Sequence, residues 1–215
     1  NETYLKNKFT YNKKTKNRIS ALLIVHALGN AARILPIIKI CKKHNIKVIE
    51  DAAGAMGTTY NEGVLKGKHV GTIADVGCFS FNGNKIITCG GGGALITNNK
   101  SFYKEALYLS TQANDVKLDY THNAVGYNYR LTNLQAAVGL AQFENLKKFL
   151  KKKKEILEIY KNTLQENDNL QLSKKPLYAS NNNWMITIKV KFKKKNMKLK
   201  LIKRLKKKNI ETRCI

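Results

Sequence analysis

Apolar positions along this chain fall into two patterns that alternate. Short continuous apolar runs occur at Ser20–Val25, Val48–Glu50, Cys78–Phe81 and Ala94–Ile96, each bounded by polar or glycine-rich residues; the first three read as buried strands and the last as a strand after a glycine run. Between them the spacing changes to that of a helix. Ala31–His44 carries Ile34, Ile37, Ile38 and Cys41 on one face, with Pro36 in its early turns, and 100–111 carries Phe102, Ala106 and Leu109. The Ser20–Val25 run is apolar on both faces, which predicts an interior strand parallel to Val48–Glu50. Strand, helix and returning strand make a βαβ unit with a right-handed crossover, so the chain is placed in the α/β class.

The second half is organised differently. Leu131, Leu134, Val138 and Ala141 open a helical pattern that Leu146, Leu150, Leu157, Tyr160 and Leu164 extend toward Asn167, predicting one long helix that bridges two domains. Beyond Pro176, Trp184–Val190 alternates as a strand and Lys198–Lys208 has helical spacing, the start of a small α+β domain. The expected boundaries are 1–145 and 146–215. Residues 1–19 are expected to be a loop or a cut element, 58–71 a loop or short hairpin, and 112–123 a long loop of the kind that carries contacts. Both ends look cut, so the chain reads as the middle of a longer protein.

Chemistry-bearing residues concentrate in two stretches. Lys47–Ala53 is a strand that delivers Asp51 at its carboxyl end, where open α/β sheets place ligand groups, and the small residues after it leave room for something flat. Val76–Gly93 is a strand that opens into the polar turn Asn82-Gly83-Asn84 and then Lys85. A lysine flanked by an aromatic pair and by Ile86-Ile87 has apolar surroundings, which favour a reactive amine suited to Schiff-base chemistry. Gly90–Gly93 permits positive φ or close backbone approach. His26 is either a satisfied loop histidine or a pocket residue, and Asp75 reads as a turn or capping acid.

These residues occur in the order that marks a family. Glu50-Asp51-Ala52-Ala53, then Ser80-Phe81-Asn82-Gly83-Asn84-Lys85, Thr88, Gly90–Gly93, and finally the block from Gly126 through Asn128 and Arg130 to Ala137 resemble the DegT-like nucleotide-sugar aminotransferases. The form of the lysine turn and glycine run is similar to members that aminate 4-keto sugars for nonulosonic acid or perosamine-type glycans. The resemblance implies the aspartate-aminotransferase fold (fold type I), with a mixed, mostly parallel sheet and helices on both faces. It implies pyridoxal phosphate as cofactor, linked covalently to Lys85, which then serves as acid and base. By the same resemblance Asp51 holds the pyridine nitrogen, Ser80 donates to the phosphate, and Asn128 reaches the phosphate of a neighbouring subunit, so the protein is expected to be a homodimer. Arg130 braces its loop. Glutamate is the implied amino donor and a nucleotide-linked keto sugar the acceptor. Two departures stand out. Gly54 replaces the family's Gln, Glu or His, implying looser geometry around the ring, and the family's N-terminal phosphate loop is absent from these residues. Lys85 also argues against the related sugar dehydratases, in which histidine takes its place.

Composition modifies this picture only slightly. Forty basic against fourteen acidic residues give a formal net charge of +26, the signature of a nucleic-acid binder. Here, though, the lysines travel with asparagine and isoleucine and lack interleaved aromatics, as an AT-rich genome would write. No nucleic-acid partner is expected, and a basic nucleic-acid-binding protein and a non-catalytic remnant are the rival readings. Cys41, Cys78, Cys89 and Cys214 form no C-x-x-C pair, and the four histidines show no metal-ligand spacing. No apolar run reaches membrane-spanning length, so no membrane partner and a reduced cytoplasmic location are the defaults.

Overall fold

A computed structural model describes residues 2–116, 121–191 and 197–214. The chain opens with a hairpin, β1 (Thr3–Lys6) and β2 (Phe9–Asn12), followed by β3 (Ala21–Val25), α1 (Ile34–Lys43) and β4 (Lys47–Asp51). Then come β5 (Thr59–Tyr60), β6 (Val76–Ser80), β7 (Gly93–Ile96), α2 (Lys100–Ser110) and the short strands β8 (Asn114–Val116) and β9 (Thr121–His122). Two helices, α3 (Asn133–Glu144) and α4 (Leu146–Leu164), precede β10 (Leu170–Leu172), β11 (Ala179–Ser180), β12 (Ile188–Val190) and α5 (Met197–Lys206).

The described residues form two units. The first holds Asn1–Lys154 and Lys175–Met185, the second Glu155–Lys174 and Ile186–Ile215. In the second, β10 pairs antiparallel with β12; of the strand expected over Trp184–Val190 only Ile188–Val190 forms, as β12, and the expected helix is present as α5.

The first unit is built on a four-stranded sheet in the order β3-β4-β6-β7, in which β3, β4 and β6 run parallel and β7 antiparallel. This is the expected mixed, mostly parallel sheet, with the predicted βαβ unit as β3-α1-β4. Because strand side chains alternate, Ile24, Val48 and Phe79 share one face, where they pack with Ile34, Ile37, Ile38 and Cys41 of α1. The helix forms where the apolar positions return every three to four residues. Asp75 proves structural, as expected. Its carboxylate accepts from the Val48 amide at 2.9 Å and from Lys47 Nζ at 3.0 Å, and although burial pushes this carboxyl up, these bonds hold it below its ordinary range.

Four local expectations are corrected. Residues 3–12 are a hairpin rather than a loop, closed by Asn7 and Lys8 at positive φ, with Tyr4 and Tyr11 stacked at 5.5 Å between ring centroids. A lysine in the left-handed region is not a turn signal a sequence advertises. Part of 112–123 likewise pairs as β8 with β9, while 117–120 lie outside the described residues. The long helix is two helices, because Asn145 turns out of α3 at φ −91 and ψ 1 and accepts from the Phe149 amide to start α4. Finally β3, expected to be interior, stands at the end of the sheet order. Its apolar pattern is written for two covered faces, yet Leu23 and Val25 are 60% and 53% exposed.

Candidate active site

The candidate site forms at the carboxyl ends of β4 and β6. Strand alternation sends neighbouring acids of β4 to opposite faces, and each acquires a different task. Glu50 turns into the core and is fully buried. Its Oε1 accepts from the Ile73 and Ala74 amides at 2.7 Å each, and its Oε2 from the Gly71 amide at 2.7 Å and His26 Nε2 at 2.9 Å. Burial alone would raise this carboxyl, but the bonds from His26 and the three amides outweigh it and the net shift is downward. His26 accepts the Ala32 amide at Nδ1, so its proton sits on Nε2, facing Glu50. It is therefore a satisfied histidine that fixes the turn after β3.

Asp51 turns to the other face. Its Cα pairs in register with Cys78 on β6, and Ser80 follows two residues later on the same face. Asp51 Oδ1 accepts from the Ala53 amide at 2.9 Å, and no hydrogen bond among the described residues engages Oδ2. Cys78 between these two is pushed up by burial and then by the Asp51 carboxylate, which keeps its thiol protonated.

The chain leaves β6 through a closed loop. Thr88 Oγ1 and the Cys89 amide both donate to the Phe81 carbonyl, the Phe81 amide donates to the Gly92 carbonyl, and the Lys85 amide donates to the Asn82 carbonyl. The glycine run does what its composition suggests, with Gly90 and Gly92 at φ 83 and 86. Lys85 emerges half-buried beside the buried Ile87, with Nζ 4.2 Å from the ring centroid of Trp184. Trp184 stands where a side chain at position 54 would begin. A Cβ on Gly54 would lie 2.6 Å from Trp184 Cζ3 and 2.7 Å from Cε3, so the indole fills that volume.

The structure thus gathers Asp51 of β4 and Ser80 of β6 on one face, with Lys85 in the loop that continues β6. Asn128 lies elsewhere, on an exposed segment held against the end of α2 by a bridge to Thr111 and by the Gln112 to Tyr127 and Tyr129 to Ser110 backbone bonds. The sequence reading missed Trp184 and Asn182. Asn182 is 2% exposed and its side-chain amide donates to the Gly54 and Met56 carbonyls at 2.9 Å each. A lone tryptophan after three asparagines was the available signal, but nothing in the sequence links it to residue 54.

A primary amine, a carboxylate with one oxygen unengaged among the described residues and a hydroxyl are the chemistry that suits an aldehyde with a basic ring nitrogen and an anionic group. A separate concavity of about 610 Å³ lies toward the amino end of β4, lined by Phe9, Arg18, Lys47 and Asp75 among others, and contains none of these residues.

The sheet order places the chain in the α/β class with the fold of the pyridoxal-phosphate-dependent transferases, fold type I. A solved aminotransferase from Helicobacter pylori, PseC, described as involved in pseudoaminic acid biosynthesis, superposes with a TM-score of 0.78 at 26% identity, over 88% of this chain and 50% of its own. GDP-perosamine synthase of Escherichia coli O157:H7 is 39% identical over 188 residues, 87% of this chain and 50% of that protein. The putative pyridoxal phosphate-dependent aminotransferase EpsN of Bacillus subtilis is 40% identical over 78% of this chain and 42% of its own length. The chain belongs to the DegT/DnrJ/EryC1/StrS aminotransferase family, whose pattern matches residues 2–215. It spans about half the length of the curated relatives it matches.

Proposed function

We propose that the protein to which this chain belongs transfers an amino group to a nucleotide-linked 4-keto hexose, with glutamate as donor and pyridoxal phosphate as cofactor. Family membership and the names of the similar proteins support the reaction class. The single observation that carries the reading is the register of Asp51 with Cys78, which brings the Asp51 carboxylate and the Ser80 hydroxyl to one face immediately before the Lys85 loop.

Bound there, pyridoxal phosphate supplies an electron sink for breaking a bond to the donor's α-carbon. Lys85 Nζ would hold the cofactor and would serve as the acid and base that moves the proton at the donor's α-carbon. Asp51 Oδ2 would accept a charge-assisted hydrogen bond from the ring nitrogen and keep it protonated. Ser80 Oγ donates to the phosphate. Asn128, exposed on its own subunit, reaches the phosphate held by a second copy, which makes the working protein a homodimer. The strongly basic surface raises the local concentration of anionic nucleotide sugars.

The test is borohydride reduction of the protein mixed with pyridoxal phosphate. The expected result is loss of the visible absorbance band and a cofactor-sized mass increment on the Lys85 peptide, both missing in Lys85→Ala. An unmodified Lys85 peptide in the wild type would overturn the proposal.

A further inference from the structure

We infer that Trp184 is the positioning residue of Lys85, and that position 54 is glycine because the indole occupies the space its side chain would need. The inference rests on the reading of Lys85 as the reactive amine. Three independent contacts place the indole. Its face lies under the lysine ammonium, at 4.2 Å from centroid to Nζ. Its Nε1–H donates to the carbonyl of Asn84, the residue before Lys85, at 2.6 Å. Its six-membered ring covers Gly54, where an added Cβ would stand 2.6 Å from Cζ3.

A rigid ring tied at its far edge cannot step aside as a flexible side chain would. The backbone beneath it is equally fixed. The Trp184 amide donates to Asn182 Oδ1 at 3.0 Å, the Asn182 amide donates to Thr58 Oγ1 at 3.0 Å, and the Trp184 carbonyl accepts from Lys153 Nζ at 3.1 Å. With the Asn182 side chain bonded to Gly54 and Met56, the segment carrying the indole is bound to the loop that follows Asp51. One aromatic side chain therefore sets the distance between the loop of the acid and the loop of the amine. A charge over an aromatic face is also favoured by the ring's quadrupole, which confines the ammonium without a counter-charge.

Two measurements on the chain without cofactor test this. In reductive dimethylation followed by peptide mass spectrometry, with exposed Lys66 as internal reference, Trp184→Ala is expected to raise Lys85 labelling about two- to fivefold, the factor matching loss of an exposed cation–π contact. Trp184→Phe, which keeps a ring face, is expected to stay near the wild-type rate. In thermal unfolding, Gly54→Ala is expected to lower the midpoint and shift the emission of Trp184, the only tryptophan in the chain, to longer wavelength. Adding Trp184→Phe to Gly54→Ala is expected to restore the midpoint. Equal Lys85 labelling in wild type and Trp184→Ala, or a Gly54→Ala variant with wild-type midpoint and emission, would overturn the inference. Failure of Lys85 to capture pyridoxal phosphate, with the labelling and coupling as expected, would instead overturn the proposed function alone.

Discussion

Replacing Glu50 by glutamine is a near-isosteric change at a fully buried carboxylate that accepts four hydrogen bonds, two at each oxygen. An amide offers one oxygen and one NH2 group, so whichever way it is oriented, two donors lose their acceptor and face another donor. If the NH2 replaces Oε1, the Ile73 and Ala74 amides are orphaned; if it replaces Oε2, His26 and Gly71 are. Hydrogen bonds to charged groups contribute about 1.5–3 kcal/mol each, so losing two in Glu50→Gln is expected to cost about 3–6 kcal/mol. Against a typical domain stability of about 5–15 kcal/mol that is a large fraction. Urea unfolding, followed by circular dichroism and Trp184 emission, measures it. The carboxyl is held below its unfolded value, so its contribution is present above the ordinary carboxylate range and is lost as pH falls through the folded value. Wild type should therefore lose stability into the acid range more steeply than Glu50→Gln. A loss below about 1 kcal/mol, or parallel acid profiles, would refute the claim that this carboxylate organises the turns around the site.

Other outcomes follow from the same geometry. Asp51→Asn is expected to weaken pyridoxal phosphate binding about ten- to a hundredfold, the worth of one charge-assisted bond, as read by equilibrium dialysis; unchanged binding would remove Asp51 from the ring nitrogen. Asn128→Ala should release cofactor faster from a dimer that gel filtration shows to be intact, and equal retention would count against a role across the subunit interface. His69, which accepts the Gly57 amide at 2.6 Å, is shifted downward by burial, so it resists charging in the fold while the unfolded chain takes up a proton. Stability should therefore begin to fall below the ordinary histidine range, and His69→Gln should flatten that first part of the acid profile. Asp75→Ala should destabilise the fold by about 1–3 kcal/mol in urea titration through the orphaned Val48 amide, without altering capture of pyridoxal phosphate at Lys85.

The local features of the site were legible in the sequence, because short-range physics sets them. Apolar runs of strand length, the helical spacing of Ile34 to Cys41 and the polar turn before Lys85 each depend on neighbours within a few residues, and β4, α1 and β6 formed where those patterns lie. The ordered blocks around Asp51, Ser80 and Lys85 also announced the family, which the match over residues 2–215 bears out. Less was legible where the partner is distant or the turn unusual. Strand β5 pairs with β11 across about 120 residues, and two residues carry too little pattern to show it. The hairpin at 3–12 turns through a lysine at positive φ. By itself, then, the sequence determined the strand and helix segments of the sheet, the family, and the candidate amine, acid and hydroxyl. Only the tertiary structure decided that Glu50 and Asp51 serve opposite faces, that His26 is locked to a carboxylate, and that Trp184 fills the place left by Gly54. Those outcomes turn on volume and hydrogen-bond partners supplied from up to 130 residues away, and a one-dimensional pattern carries no term for either.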